Sequence, residues 1–461
     1  MADDWSSWGL DLHLRLDRSR GLRIGLENAL RDAVRSGRLA AGTRLPSSRT
    51  LAHDLGMARG TVTQALDQLV AEGYLTSAPR SGIRVAAQPA PPPRAMPVTR
   101  SWLPPVEGSD LRPGLPDLST FPRRAWLAAT RRVLQTAPNS AFGYADLAGV
   151  ADLREALAEY LGRARGVVTT PEQIVVCAGY THALRVVCEA LGTASIAFED
   201  PCSPDHPALA ARLGLAAGRL PTDASGLLID ALTDQDAVVV TPAHQYPLGG
   251  TLSPDRRTAL LAWARRTGAF VLEDDYDGEF RYDRQPVGAL QGMAPDQVIY
   301  AGTASKTIAP GLRLAWLAVP PALLPAMRRA NAWDDSPVNS LDQLVLADLV
   351  RSGELDRHLR RCRSRYRRRR DRLGEAVARR LPGAHLSGIA AGLHAVLHVP
   401  GADERALVAR LRSRDVHVDG LTSYYEVPER SPGGLVIGYA TPPEHAFASA
   451  LSALVTALGE R

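Results

Sequence analysis

The sequence of 461 residues contains one lysine, Lys306, beside 53 arginines. A GC-rich genome converts lysine to arginine wherever either residue is tolerated, so a lysine that remains indicates a position at which arginine fails. Arginine stays protonated and forms no imine, whereas lysine can lose its proton and attack a carbonyl group. The composition therefore predicts a chemical role for Lys306, which lies in the segment GTASKTIAPGLRLAW at residues 302–316.

Hydroxyl, carboxyl and guanidinium groups follow the apolar segments around this lysine. Thr303 and Ser305 precede it, and Arg313 follows seven residues later with a side chain suited to clamping a phosphate. The segment EDDYD places Asp274 and Tyr276 at the end of another apolar segment. A buried carboxylate there would hold a protonated ring nitrogen, and the phenol would bond a ring oxygen. The alternative is a solvated acidic loop.

A third group of residues predicts an anion site. Gly179 separates the apolar segment IVVCA from the helical segment THALRVVCEAL, and Tyr180 and Thr181 lie at the start of that helix. The free N–H groups at such a helix N-terminus suit a phosphate. Phosphate anchors, an aspartate, a tyrosine and one lysine together fit pyridoxal 5′-phosphate, whose aldehyde forms an imine with lysine.

These residues need a scaffold that brings the ends of several strands together. Apolar strand-like segments alternate with helical ones from about residue 117 onward, which predicts an α/β fold with a mostly parallel sheet. Ligands bind such sheets at the carboxyl ends of the strands, where the polar groups lie. The predicted strands are residues 174–178, 195–200, 236–245, 270–277, 297–303 and 312–319.

The first ninety residues follow a different pattern. Apolar residues at helical spacing predict a helix over 22–36, and Ser47 or Ser48 is suited to capping a second, short helix. Gly56 breaks that helix, and a third helix is predicted from Arg59 to Glu72. Two short helices around a tight turn predict a helix-turn-helix, and YLTSAPRSGIRVA predicts a two-stranded wing after it.

Between the two patterns lies a stretch rich in proline, with nine prolines in the 28 residues from Pro89 to Pro116. It predicts a linker. The net charge of +5 permits a nucleic-acid partner. The four cysteines show neither CxxC pairing nor zinc spacing, no apolar run approaches the length of a membrane helix, and the N-terminal segment MADDWSSWGLDLHLRLD shows no signal-peptide h-region. We expect a cytoplasmic protein that binds no metal and no membrane.

The segment SGRLAAGTRLPSSRTLAHDLGMARGTVTQALDQLVAEGYL resembles the GntR winged-helix family, and residues 117–461 resemble a fold-type-I aminotransferase domain. The second resemblance rests on the segments YADLAGVADLREALAEYL, TPAHQYPLGG, EDDYDGEFRY, GTASKTIAPGLRLAW and AGLHAVLHV. The whole chain is similar to the MocR/GabR-type transcription regulators. That resemblance implies a winged-helix DNA-binding domain at 10–86, a linker at 87–116 and an aminotransferase-like domain at 117–461, with a small C-terminal α+β subdomain.

The resemblance also implies roles for individual residues. Lys306 would form the internal aldimine, Asp274 would pair with the pyridine nitrogen, and Tyr276 with the ring hydroxyl. His244, Gln245 and Tyr246 stand where related enzymes hold an asparagine near the ring oxygen, and the choice among them stays open. The phosphate would be held by Gly179, Tyr180, Thr181, Thr303, Ser305 and Arg313, together with Tyr144 from the partner in a head-to-tail homodimer. Contacts with double-stranded promoter DNA would come from Arg44, Ser48, Arg49, Arg59, Gly60, Thr61, Thr63 and Gly82.

Two positions depart from the aminotransferase pattern. Ser203 in EDPCSPDH replaces a tyrosine that lies over the cofactor ring, and His206 or an aromatic from elsewhere is its candidate substitute. Val436 in LVIGY replaces the arginine that binds the substrate carboxylate. Without that pair a buried carboxylate loses ~2–5 kcal/mol.

Val436 therefore predicts a regulator that binds the cofactor but handles ordinary amino acids poorly. The effector is then the cofactor itself, with an amine or amino acid as the other candidate. Compensation by Arg281 or another arginine is one alternative. An active aminotransferase with an accessory DNA-binding head is a second, and an enzyme-like domain that serves only as a dimerisation scaffold is a third.

The run RHLRRCRSRYRRRRDRL at residues 357–373 has two interpretations. Leu359, Cys362, Tyr366 and Leu373 recur at helical spacing, which favours an amphipathic helix with a solvated basic side. The alternative is a second DNA-binding surface.

Overall fold

The computed structural model describes residues 16–17, 21–78, 82–86, 108–192, 194–282, 287–332 and 338–459. The chain divides into two compact units, Met1–Pro104 and Pro105–Arg461, and each is described by itself. Within the described ranges no helix is both long and apolar enough to span a bilayer. The wing tip with Arg80 and most of the predicted proline-rich linker lie outside those ranges.

The smaller unit consists of three helices and a hairpin, namely α1 Leu22–Arg35, α2 Ser48–Asp54, α3 Arg59–Ala71, β1 Leu75–Ala78 and β2 Gly82–Val85. The Ser47 side chain accepts a hydrogen bond of 3.1 Å from the backbone N–H of Thr50 and so caps α2. Gly56, with φ of +61°, forms the turn that precedes α3. Leu30 and Leu66 are fully buried in the shared core. The predicted helix-turn-helix with an antiparallel wing is present.

The larger unit contains the remaining elements in chain order. Its helices are α4 Arg123–Thr136, α5 Ala151–Arg165, α6 Tyr180–Leu191, α7 Asp205–Arg212, α8 Pro254–Thr267, α9 Ala304–Thr307, α10 Leu324–Ala332, α11 Ser340–Arg351, α12 Glu354–Arg380, α13 Glu404–Arg412 and α14 Glu444–Gly459. Its strands are β3 Ser109–Asp110, β4 Ile174–Cys177, β5 Ser195–Asp200, β6 Ala216–Asp223, β7 Gly226–Leu227, β8 Ala237–Val240, β9 Phe270–Asp275, β10 Val298–Thr303, β11 Ala315–Ala318, β12 His385–Ser387, β13 Ala395–His398, β14 Val416–His417, β15 Asp419–Gly420 and β16 Leu435–Ile437.

An eight-stranded sheet with the order β4-β11-β10-β9-β8-β5-β6-β7 forms the centre of this unit. Neighbours from β10 across to β6 run parallel, whereas β11 is antiparallel to both β10 and β4. The central strands are apolar on both faces because helices cover both, with α6 and α10 in one hydrophobic cluster and α8 in another. The α/β class and the mostly parallel sheet agree with the sequence prediction.

The reversed direction of β11 decides where Arg313 lies. The chain leaves the carboxyl end of β10 at Thr303, forms the short helix α9 and re-enters the sheet at β11, whose Ala315 pairs with Thr303. Because β11 runs backwards, its first residues lie at the same edge as the carboxyl ends of the parallel strands. Lys306 and Arg313 therefore flank one edge of the sheet.

A second, antiparallel sheet with the order β12-β13-β16-β15 forms the C-terminal part. The strand β3 pairs with β14 and joins the segment after residue 107 to this part. The backbone around Arg112 also packs closely against Gly438, where a Cβ would lie only 2.2 Å from the carbonyl oxygen of Arg112. This packing leads the chain towards Gly114 beside the site.

Candidate cofactor site

A cavity of about 300 Å³ opens at the carboxyl edge of the large sheet. It brings together residues from the ends of β5, β8, β9 and β10 and from the starts of α6 and β11. The lining residues that the sequence singled out are Tyr180, Thr181, Tyr246, Asp274, Tyr276, Thr303, Ser305, Lys306 and Arg313. Gly179, the N-cap of α6, directly precedes the lining residue Tyr180.

Lys306 points into this cavity from α9. Its Nζ donates a short hydrogen bond to the carbonyl oxygen of Gly114. Burial lowers the pKa of the Lys306 amine below its ordinary value, while Asp274 and Asp277 act in the opposite direction. A lowered pKa enlarges the neutral fraction of the amine, and the neutral amine is the form that attacks a carbonyl carbon.

Asp274 lies at the end of β9 with 7% of its surface exposed. Its Oδ1 and the hydroxyl of Tyr180 are buried and have no hydrogen-bond partner within the described ranges. Burial raises the pKa of the Asp274 carboxyl to about 8, although the nearby Tyr180 hydroxyl and Lys306 lower it. A buried carboxylate without a partner is costly, so this group is suited to a cationic ligand atom that enters the cavity.

Tyr276 is held by a buried network behind the cavity wall. Its hydroxyl donates to the backbone oxygen of His244 at 3.0 Å and lies 3.0 Å from the Nδ1 of the same residue. Asp277 Oδ2 lies 2.9 Å from that Nδ1. Nδ1 of His244 therefore contacts both the Asp277 carboxylate and the phenol, and these contacts fix the orientation of Tyr276 in the cavity wall.

Of the three residues that the sequence left open as the ring-oxygen ligand, only Tyr246 lines the cavity. The Gln245 amide instead donates to the carbonyl oxygens of Pro201 and Tyr246 at 2.8 and 2.9 Å. His244 serves the network behind Tyr276. The Tyr246 and Tyr424 rings meet edge to face at 5.5 Å, which fixes the phenol that faces the cavity.

The opposite end of the cavity has the features of a phosphate site. Gly179 has φ of +90° and precedes α6, and a Cβ there would lie 3.0 Å from Nη1 of Arg313. Only glycine lets the guanidinium come this close to the helix N-terminus. Thr303 Oγ1 accepts the N–H of Ser305 at 3.1 Å, so a second helix also begins at this end. The Arg313 guanidinium, the Thr303 and Ser305 side chains and the N-terminal residues of α6 all line this cavity, and such groups suit an anion.

Ser203 and His206 both line the cavity, where the sequence lacked the expected tyrosine. The His206 ring lies 4.9 Å from the Tyr180 ring at an interplanar angle of 50°. Burial lowers the pKa of His206 to about 4, so the ring is neutral at pH 7. His206 therefore supplies a flat, uncharged group on the wall from which the tyrosine is missing.

Val436 is fully buried in an apolar cluster with Val396, Leu421 and Tyr424. Arg281, the proposed compensating residue, is buried beside a separate small cavity with His244 and Asp277 and does not line the main one. Of the residues that line the main cavity, Lys306 and Arg313 are the two that can supply a positive charge.

Some lining residues carried no recognisable signal in the sequence. Gly114 stood in the predicted linker, and Cys202, Glu199 and Thr241 stood in apolar or turn segments. His394 interrupts the apolar strand segment AGLHAVLHV and could have been noticed as a polar residue out of pattern.

Tyr144 lies outside this cavity. Its side chain is 98% exposed, and Phe142 and Leu147 beside it are also exposed. Within one subunit the structure does not bring Tyr144 to the predicted phosphate site.

The residues predicted to contact DNA lie on the surface of the smaller unit. Arg44, Arg49, Arg59, Gly60, Thr63 and Gly82 are exposed, and Ser48 and Thr61 are half-buried. Arg44 forms an isolated bridge with Arg84, and a Cβ at Gly82 would lie 3.2 Å from its Nε. The wing and the segment before α2 thus present their basic groups together.

Comparison with protein families identifies both units. Residues 114–454 match the aminotransferase class I and II family, and residues 24–85 match the gntR family of bacterial regulatory proteins. The HTH-type pyridoxine biosynthesis transcriptional regulator PdxR of Corynebacterium glutamicum is 36% identical over 91% of this chain and 92% of its own length. The probable rhizopine catabolism regulatory protein MocR of Rhizobium meliloti is 34% identical over 75% of this chain and 74% of its own.

Solved structures share the fold of the larger unit. An archaeal alanine:glyoxylate aminotransferase superposes with a TM-score of 0.71 at 23% identity, covering 77% of this chain and 91% of its own. The α-aminoadipate aminotransferase LysN of Thermus thermophilus gives a TM-score of 0.68 at 25% identity, over 76% and 92%. These comparisons confirm the predicted fold class and the predicted family.

We expect Asp274→Asn to stabilise the cofactor-free protein by an amount that grows with pH. Because folding raises the pKa of this carboxyl from about 4 to about 8, the native state holds a proton that the unfolded state lacks between these values. The free energy of unfolding of the wild type therefore falls as the pH rises through this window, by about 1.4 kcal/mol for each unit of pKa shift. Asp274→Asn lacks the titrating group and does not show this loss.

Thermal unfolding of wild type and Asp274→Asn between pH 4 and 9 measures this difference. Asp230→Asn, at an exposed position, is the control and should show no such trend. A stability difference that stays constant over the whole range would contradict the prediction.

Proposed function

Because the chain belongs to the MocR-type HTH transcriptional regulators, which join a gntR-family domain to an aminotransferase class I and II domain, we propose that it binds DNA with the first and pyridoxal 5′-phosphate with the second. Occupancy by the cofactor would control DNA binding. The observation that carries the proposal is the buried Asp274 carboxyl, whose Oδ1 has no hydrogen-bond partner in the described ranges and which shares one cavity with Lys306 and Arg313.

The cavity groups match the chemical parts of this cofactor one by one. Bound pyridoxal 5′-phosphate supplies an aldehyde that condenses with a primary amine, and Lys306 is the amine. Asp274 would hold the protonated ring nitrogen, and the phenols of Tyr276 and Tyr246 would contact the ring hydroxyl. His206 would cover a ring face. The phosphate would be bound by Gly179, Tyr180, Thr181, Thr303, Ser305 and Arg313.

We expect the wild-type protein to trap the cofactor covalently at Lys306. Addition of pyridoxal 5′-phosphate should give a visible absorption band, and reduction with borohydride should leave the pyridoxyl mass on the peptide that contains Lys306. Lys306→Ala should show neither, because alanine has no amine. Lys306→Arg is the matched control for charge, since arginine keeps the positive charge but forms no imine. A band that persists in both variants would contradict the assignment.

We further propose that the larger domain forms a head-to-tail homodimer in which Tyr144 reaches the phosphate site of the partner. The support is the exposure of this phenol among the exposed apolar residues Phe142 and Leu147, a grouping that an isolated subunit leaves in water. Apolar side chains grouped on a surface are typical of an interface.

Mixed dimers test this arrangement. Tyr144→Phe should lower the affinity for pyridoxal 5′-phosphate roughly tenfold, the effect of one hydrogen bond to a charged group. A mixture of Tyr144→Phe and Lys306→Ala chains should regain a fraction of sites with wild-type affinity, because one site of each mixed dimer has both wild-type residues. Sedimentation checks the dimer mass. A monomeric full chain, or a mixture without any recovery, would contradict the proposal.

The charges of the cavity favour the cofactor itself as the effector. Lys306 would be engaged with the aldehyde of the cofactor and Arg313 with its phosphate, and burial lowers the pKa of His394 to about 3, so this ring adds no positive charge. An amino acid would bring a carboxylate into a cavity whose two cations are both engaged, and Val436 stands where the family resemblance places the arginine that would bind it. A buried carboxylate without a cation is strongly unfavourable. The relative PdxR is named as a regulator of pyridoxine biosynthesis, which agrees with this choice.

DNA binding is therefore expected to respond to pyridoxal 5′-phosphate and not to amino acids. The affinity of the full chain for a fragment from upstream of its own gene, measured by fluorescence anisotropy, should change when the cofactor is added. The response should disappear in Lys306→Ala. Arg49→Ala should weaken DNA binding with and without the cofactor.

Each standard amino acid, added to the cofactor-loaded protein, should leave both the absorption spectrum and the DNA affinity unchanged. Substantial transamination of any of them would favour the alternative of an active aminotransferase with an accessory DNA-binding domain.

A further inference from the structure

The arginine-rich helix α12 separates its arginines into two groups that the sequence alone does not distinguish. Arg369 is buried and donates to Asp117, to Glu444 and to backbone oxygens near Pro442. Arg363 donates to the carbonyl oxygen of Glu279, and Arg370 to that of Ile389. These three side chains anchor the helix to the larger unit.

The second group faces water. Arg357, Arg360, Arg361, Arg367 and Arg368 are exposed, and we call this set the outer arginine face. Arg357 pairs with Glu354, but in the ranges that the structure describes the other four form no ion pair. Together with Ser364 and Arg365, three of the four line a shallow groove on the surface.

Among the residues that the structure describes, this face concentrates several unpaired, exposed arginines on one side of one helix. Some exposed arginines elsewhere on the same unit instead meet carboxylates, as in Arg132–Asp348, Arg163–Asp356 and Arg351–Asp152. Like charges three or four residues apart on a helix repel each other. The outer arginine face therefore lowers the stability of its own helix, which buried contacts of Leu359, Cys362 and Tyr366 maintain.

The geometry suits a regular, linear polyanion. Eleven residues separate Arg357 from Arg368, which is roughly 16 Å along a helix axis. One strand of duplex DNA presents about five phosphates over that length of its own axis. Guanidinium groups bind phosphate oxygens through two N–H donors, so a rigid row of them can hold several phosphates at once.

We propose that the outer arginine face of α12 binds the phosphate backbone of duplex DNA, as a second contact besides the gntR-family domain. This inference rests on the proposed function, because the DNA-binding domain in the same chain makes DNA the polyanion at hand. The contact is independent of base sequence, since no part of it reads base edges.

The test compares binding of the full chain to a labelled random-sequence duplex of several helical turns. Arg361→Ala combined with Arg368→Ala should raise the dissociation constant at least roughly fivefold. It should also lower the slope of log K against log salt by roughly two, since two phosphates are no longer neutralised by arginine. Arg379→Ala combined with Arg380→Ala, at the exposed end of the same helix, removes the same charge and should leave the slope near that of wild type.

Two further variants make the result specific. Arg361→Lys with Arg368→Lys keeps the charge and should keep most of the slope. Arg49→Ala removes a predicted contact of the other domain. If Arg49→Ala weakens binding while the outer-face variant behaves like its matched control, this inference fails and the proposed function stands. If neither Arg49→Ala nor the outer-face variant alters binding, the proposed function itself fails.

Other anionic partners give distinct outcomes. Vesicles of phosphatidylserine and an acidic polypeptide serve as alternative probes for wild type and for the outer-face variant. Loss of binding to either of them, together with unchanged binding to DNA, would overturn the assignment to DNA. Unchanged cofactor absorption and thermal unfolding in the outer-face variant show that the fold is intact.

Discussion

A buried carboxyl group whose Oδ1 lacks a hydrogen-bond partner is the constraint on which the candidate site depends. Asp274 is desolvated at the end of a central strand, and no described residue gives its Oδ1 a hydrogen bond. The apolar residues of the surrounding strands form a continuous core, whose burial offsets this cost. The unsatisfied oxygen suits the site to a ligand, because a carboxylate whose oxygens already accept hydrogen bonds from the protein would bind a ring nitrogen more weakly.

The order and direction of the strands, rather than closeness in sequence, bring the remaining site residues together. Parallel strands bring Asp274 and Thr303 to one edge, and the reversed strand β11 returns Arg313 to that edge. Glycine at position 179 leaves space for the guanidinium beside the helix N-terminus. Helical spacing likewise divides the arginines of α12, because it turns some of them towards the core and leaves others at the surface.

The sequence was sufficient for the groups whose type is chemically unusual, and insufficient where contact depends on long-range packing. The lone Lys306, the EDDYD segment and the glycine before α6 could all be interpreted without a structure. Gly114 could not, because its carbonyl meets Lys306 only through the pairing of β3 with β14 and the close approach at Gly438. The choice of Tyr246 over His244 depended likewise on side-chain directions in a loop, which have no periodic signature.

The Lys306 nitrogen that donates to the carbonyl oxygen of Gly114 is the same nitrogen that is proposed to react with the cofactor. As an amine it has hydrogens to spare and tethers the backbone of the segment by which the chain enters the larger domain. Condensation with the aldehyde of the cofactor, as proposed, would leave this nitrogen at most one hydrogen. The same reaction would then weaken the tether between Lys306 and Gly114, so cofactor binding and the anchoring of this stretch of chain would be coupled through one atom.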